Sequence, residues 1–167
     1  MIKFGKNGGR ILKSIHLITV CLWVGGSMAL NLLMLFPLEP KSGNQLYGYL
    51  TALRFIDELV IVPGALGSLI TGLLMSLTTH WGFFKHRWLA VKWILTIACI
   101  VIGIVALAPP IVTLGQLASE EGLSALTNPS FIHAKLLTIK GGLALLTLII
   151  FMTVISVFKP WSRKPAS

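Results

Sequence analysis

The chain has 167 residues, 55% of them hydrophobic and 11% charged, with mean hydropathy +0.86 and a formal net charge of +9. A soluble globular domain is about a quarter charged, so the composition excludes one and describes a single integral membrane domain, residues 1–167. The basic excess lies outside the apolar runs, where it reports topology rather than nucleic-acid binding. Cys21 and Cys99 each sit inside an apolar run with no CxxC pair, which excludes a thiol redox motif and reads as small apolar filler.

A membrane span needs about 20 apolar residues. Four segments meet this: roughly Ile11–Phe36, Arg54–Thr79, Trp88–Leu114 and Leu136–Phe158. The first is too long for the apolar core of a signal peptide and is expected to be an uncleaved helix, closed by Pro37 and Pro40. His80-Trp81-Gly82 follows the second, and Pro109-Pro110 is expected to kink the third near its end. A connection of about 20 residues after Leu114 is the longest, with a short helix expected around Ser119–Leu126. Asn128-Pro129-Ser130 precedes the fourth span, with Ser130 the expected N-cap. The fold class is therefore all-α, a transmembrane four-helix bundle.

Charge sets the expected orientation. Lys3, Lys6, Arg10, Lys13, Lys85, Arg87, Lys92, Lys159, Arg163 and Lys164 fall on one side. Lys41, Arg54, Lys135, Lys140 and the acids Glu39, Asp57, Glu58, Glu120 and Glu121 fall on the other. The positive-inside rule places both termini in the cytoplasm, with Trp81, Trp88 and Trp161 as an inner aromatic belt.

Projected at 100° per residue, each span shows a polar or small stripe. In span one, Thr19, Trp23, Ser27 and Asn31 fall within about 60° of His16. In span two, Gly64, Ser68, Thr71 and Met75 share a face with Asp57, and Gly64, Ser68 and Gly72 form a small-xxx-small series suited to close helix approach, within the chain or in a homodimer. Span three aligns Lys92, Cys99, Gly103, Ala106 and Pro110; span four aligns His133, Lys140, Ala144, Thr147 and Phe151. All four stripes are expected to face the bundle interior. Polar groups then gather at two ends: His16, Lys92, Lys85, His86 and Arg87 near the cytoplasm, and Arg54, Asp57, Glu58, His133 and Lys140 near the outer face.

An ionisable residue within a span is costly and marks a functional candidate. His16 is either a satisfied interfacial histidine or an axial ligand to haem iron, since neutral imidazole offers a nitrogen lone pair. Lys92, at similar depth, either snorkels to the headgroups or acts at the same site. Arg10, Lys13 and Arg87 are topology determinants that could also neutralise propionates. His80 and His86 are weaker ligand candidates. His133, at the far end, is too distant to share an iron with His16; it either belongs to an outer site with Asp57 or Glu58 or is structural, the latter being the expected reading. Met28, Met34, Met75 and Met152 lack copper-site spacing and read as packing residues. No Walker, HExxH, GxSxG or GxGxxG pattern occurs.

The segment Lys13-Ser-Ile-His16-Leu-Ile-Thr-Val-Cys-Leu-Trp23-Val-Gly25-Gly26 resembles the first span of a group of small bacterial membrane proteins. The group includes the HemJ-type protoporphyrinogen oxidases, the copper-resistance D domain family and an uncharacterised integral-membrane family of the same layout. Trp88-Leu-Ala-Val-Lys92 resembles a later span opening of the HemJ type; Pro63, Gly72 and the closing Lys159-Pro160 match further positions. The resemblance implies haem b binding with His16 as axial ligand, Lys92 as a second ligand or propionate partner and Trp23 in the cofactor pocket, in a multi-pass protein of the bacterial cytoplasmic membrane. The Pro-Arg and further histidine that follow the first span in the HemJ type are replaced here by Ala29-Leu-Asn31-Leu-Leu-Met-Leu-Phe-Pro37, so no catalytic residue is carried over. The expected partners are lipid and a membrane-accessible small molecule or electron carrier. The alternatives are copper or small-solute handling along the Asp57–Met75 stripe, or a ligand-free assembly subunit.

Overall fold

The computed structural model describes residues 5–36, 39–78 and 87–159, and these are almost entirely helical. The helices are α1 (Lys6–Leu35), α2 (Gly43–Ile56), α3 (Val62–Thr78), α4 (Arg87–Ile102), α5 (Ala108–Glu121) and α6 (Pro129–Phe158). A π-helical turn, Asp57–Ile61, joins α2 to α3, and another, Gly103–Leu107, joins α4 to α5. The result is four rods long and apolar enough to cross a membrane: Asn7–Leu35, Gly43–Thr78, Trp88–Thr127 and Pro129–Phe158. Their outer faces are apolar, with Ile18 60%, Ile94 68% and Val105 70% exposed, a surface that lipid solvates and water does not.

Both π turns have the same local cause. Proline lacks the N–H that would bond four residues back, and its ring crowds that carbonyl. Pro63 and the Pro109-Pro110 pair each follow a turn that widens to a five-residue bond, Val62 N–H to the Asp57 carbonyl and Ala108 N–H to the Gly103 carbonyl. The helices bulge and continue. The expected kink in span three is thus a π turn, and no 20-residue loop follows Leu114: α5 runs to Glu121. Gly122, at φ +61°, ends it, a left-side conformation that glycine tolerates. A 3₁₀ turn, Gly122–Thr127, replaces the short helix expected around Ser119–Leu126. Residues 43–53, outside the expected spans, also prove helical.

The four rods form a square. At the end carrying the termini (the proximal end), α1 packs most extensively on α3, α6 lies against α1 and α4, and α3 and α4 touch only lightly. Among the described residues, the diagonals α1/α4 and α3/α6 make no close approach. At the distal end α2 packs on α5, and α5 on α6. Two apolar clusters result: a distal one built on Leu30, Leu46, Leu50, Leu53, Leu114 and Phe131, and a proximal one of Trp23, Ala65, Cys99, Ile149 and Met152.

Glycine sets the α1–α3 contact. A Cβ on Gly64 would lie 2.7 Å from the Trp23 backbone nitrogen, and one on Gly67 would lie 2.6 Å from the Thr19 methyl. The small-residue face of span two is therefore occupied within the chain. Polar groups finish the distal end. The Leu33 carbonyl would bond the N–H of residue 37, which is a proline, and the Tyr49 hydroxyl donates to it instead. Asn128, not Ser130, caps α6, accepting from the Ser130 N–H at 2.8 Å.

Stripes one and two face inward as expected: Trp23, Ser27, Asn31, Ser68 and Thr71 are buried. Span three keeps its expected face only as far as the π turn. Cys99 is 2% exposed, but Ala106 lies on the surface and the buried positions become Ile111, Leu114 and Ala118. Span four reverses the expectation. His133, Lys140, Ala144, Thr147 and Phe151 are exposed, while Phe131, Ala134, Thr138, Ile149, Met152 and Ile155 face the bundle. That helix is apolar on every side, so its few polar residues do not mark a buried face, and the Thr147 hydroxyl bonds back to the Leu143 carbonyl of its own helix.

Candidate functional site

His16 sits on α1 opposite α3. Its Nδ1 is 2.8 Å from the Thr71 hydroxyl, and its Cε1 lies where a Cβ on Gly72 would be 3.6 Å away. The Thr71 hydroxyl donates its own proton within α3, 2.6 Å to the Gly67 carbonyl, so toward His16 it can only accept. Nδ1 therefore carries the proton and Nε2 keeps the lone pair. A histidine whose one nitrogen is held by a fixed acceptor presents the other as a ligand with defined orientation. Lys92, half-buried, stands on α4, the helix diagonal to α1.

Other sequence candidates lie elsewhere. Arg10 and Lys13 are exposed on α1. His80, His86, Lys85, Trp81 and Trp161 fall outside the described residues. His133 is exposed, and Glu58 pairs with Arg54 at 2.6 Å on the surface, so neither joins Asp57 in a site. Met34 and Met152 are core residues, the latter accepting from the Thr96 hydroxyl at 3.4 Å. Among the described residues, no three His, Cys, Asp or Glu side chains converge as a metal centre.

Trp23 is seven residues beyond His16, about 10 Å along the helix, and it lines a separate feature. A cavity of about 150 Å³ lies in the middle of the bundle, walled by Trp23, Ala65, Cys99, Leu145 and Ile149. Both π turns contribute to it, through Asp57 and Ile61 on one side and Gly103, Ile104 and Leu107 on the other. Its polar groups are Ser27, Asn31, Asp57 and Thr138. Asn31 is 3% exposed; its amide donates to the Ser27 carbonyl at 2.8 Å, which fixes Oδ1 on the other side, where it has no partner. Gly142 makes room for that oxygen, since a Cβ there would lie 2.7 Å from it. Composition and spacing gave no sign of this cavity; the prolines that follow each π turn, Pro63 and the Pro109-Pro110 pair, are the one sequence signal beside it.

A family model described as predicted integral membrane protein (DUF2269) matches residues 10–160. The chain belongs to this family. No curated protein and no solved structure matches it. The family description agrees with the four spans and goes no further than an integral membrane protein.

The residues present can be weighed against the haem that the sequence resemblance implies. A cavity of this size takes one benzene-sized ring, so a porphyrin does not fit beside Trp23. At the proximal level the donor types are ones a haem iron takes: an imidazole with Nε2 as the lone-pair nitrogen, and an amine on α4, the helix diagonal to α1. The Thr71 contact makes its own prediction. In Thr71→Val the imidazole loses its acceptor, and the protein is expected to lose about 1 kcal/mol. Its two tautomers should then exchange, moving the His16 ¹⁵N shifts toward averaged values, while Thr71→Ser keeps them. Unchanged ¹⁵N shifts in Thr71→Val would remove the argument for a fixed tautomer.

Proposed function

We propose that this protein binds haem b between α1 and α4 at the proximal end and serves a redox or electron-transfer role in the membrane. His16 Nε2 is the axial ligand, and Lys92 is a second ligand or the partner of a propionate. The bound haem would supply one-electron chemistry; the chain supplies the ligand, its orientation through Thr71, and a cation opposite. The observation that carries the reading is the Thr71 contact, which leaves Nε2 as the only ring nitrogen with a lone pair. Facing helices of a bundle are a common setting for such a group. We place the protein in the bacterial cytoplasmic membrane with both termini inside, on the strength of its charge asymmetry.

Visible spectroscopy tests this. Protein purified in mild detergent from haem-replete cells is expected to show a Soret band that shifts on reduction with dithionite. The band is expected to be lost in His16→Ala and altered in Lys92→Ala. A colourless wild-type protein that also fails to take up added haem would overturn the proposal.

A further inference from the structure

The central cavity is distinct from the His16 level and asks for a different occupant. Its walls are apolar and include an indole. Its polar side offers acceptors. Asn31 Oδ1 is buried and unpartnered, set against Gly142 in the cavity wall, with its orientation fixed by the bond from its amide to the Ser27 carbonyl, so a donor in the cavity reaches it by a small shift of that wall. The Thr138 hydroxyl spends its proton on the Ala134 carbonyl at 2.9 Å, leaving only lone pairs to give. Asp57 adds a carboxyl group. A buried acceptor left without a donor costs about 1–3 kcal/mol, and leucine, of nearly the same shape, would avoid that cost at position 31. An amphiphile carrying a hydrogen-bond donor on a ring would satisfy it.

The cavity also has a way in. Val62 and Leu66 on the α3 side and Ile104 on the α4 side line it, and these are 36%, 42% and 57% exposed. Because α3 and α4 touch only lightly, the mouth faces lipid. The π turns of the two rods flank this mouth, and such turns occur frequently at functional sites. We propose that the cavity binds a small hydroxylated aromatic ring, the phenol-type head of a membrane amphiphile, which enters from the bilayer between α3 and α4 and donates its hydroxyl to Asn31 Oδ1. This site does not depend on haem at His16, and its test uses no haem signal.

The probes are 4-fluorophenol and 4-fluoroanisole, which share a ring but differ in having a donor. Each is titrated by ¹⁹F NMR against the full chain in lipid nanodiscs, with empty nanodiscs subtracted. Saturable binding of 4-fluorophenol is expected, with 4-fluoroanisole about tenfold weaker, the size of one hydrogen bond to a buried acceptor. Asn31→Leu is expected to bring the two probes to equal, weak affinity. Gly103→Leu fills the cavity from a position where a Cβ meets only Leu145, at 4.0 Å, and is expected to abolish binding of both. Equal affinity of the two probes for the wild-type chain, no saturable binding, or undiminished phenol binding in a folded Asn31→Leu protein would each overturn the proposal. If Asn31→Leu fails to fold, the probe comparison on the wild-type chain and the Gly103→Leu variant decide it.

Discussion

Gly64→Leu is expected to eliminate folded, monodisperse protein in detergent, and Gly64→Ala to cost about 2 kcal/mol. The atoms a side chain would meet at Gly64 belong to backbone: the Trp23 nitrogen at 2.7 Å, the Thr19 carbonyl oxygen at 3.1 Å and the Trp23 Cα at 3.1 Å. No rotamer change relieves a backbone collision, so α1 and α3 must separate. Their contact is the most extensive between helices in the bundle. In lipid, such contacts hold by close packing rather than by burial from water, so a small separation loses most of the attraction. Gly25 supplies the control. It sits one position from Gly26 in the same motif, yet a Cβ there meets nothing within 4 Å, and Gly25→Ala should be neutral or gain about 0.5–1 kcal/mol. Thermal unfolding followed by circular dichroism separates these cases; wild-type melting of Gly64→Leu would refute the tight α1–α3 seam.

The second large effect is expected at Trp23. Its side chain is 6% exposed, belongs to the proximal cluster and forms a wall of the cavity. Trp23→Ala removes the largest side chain of that cluster beside space that is already open, so the void merges with the cavity and cannot collapse. The loss should reach the upper part of the range for buried aromatics, about 3–5 kcal/mol, while Trp23→Phe should retain most of the stability. Titration of folded protein with a denaturing detergent gives the comparison. A Trp23→Ala midpoint within error of Trp23→Phe would mean the indole is not a packing residue.

The four spans were legible from hydropathy alone, and the inward stripes of the first two followed from helical spacing. In those two helices polar and small residues interrupt an otherwise apolar sequence, so the pattern has amplitude. Span four has almost none: His133, Lys140 and Thr147 line up on a wheel, but apolar residues surround every face, and lipid accepts any of them. Span three failed for another reason. A π turn adds a residue to the repeat, so the face that begins at Cys99 emerges at Ala106 on the lipid side, and a fixed 100° step cannot follow it. The residues 43–53 were missed because Gly43, Asn44, Gln45 and Gly48 dilute their hydropathy, although Leu46, Leu50 and Leu53 carry the spacing of a buried helix face. His16 and Lys92 were nameable from sequence because ionisable residues are rare in spans. Asn31 was visible only as part of a stripe, since its significance rests on which of its atoms lacks a partner.

The unequal rod lengths divide the molecule between two solvents. Gly43–Thr78 has 36 residues and Trp88–Thr127 has 40, whereas the hydrocarbon core takes about 20. The surplus of each lies at the distal end, where Arg54, Glu58, Glu120 and Glu121 are exposed and where Leu46, Leu53, Leu114 and Phe131 are buried. That half is assembled as soluble proteins are, by removal of apolar surface from water. The proximal half has no such drive and depends on fit between helix surfaces. Denaturants that act through water therefore address one half of the chain, and the choice of lipid or detergent addresses the other, with the cavity at the boundary where the two regimes meet.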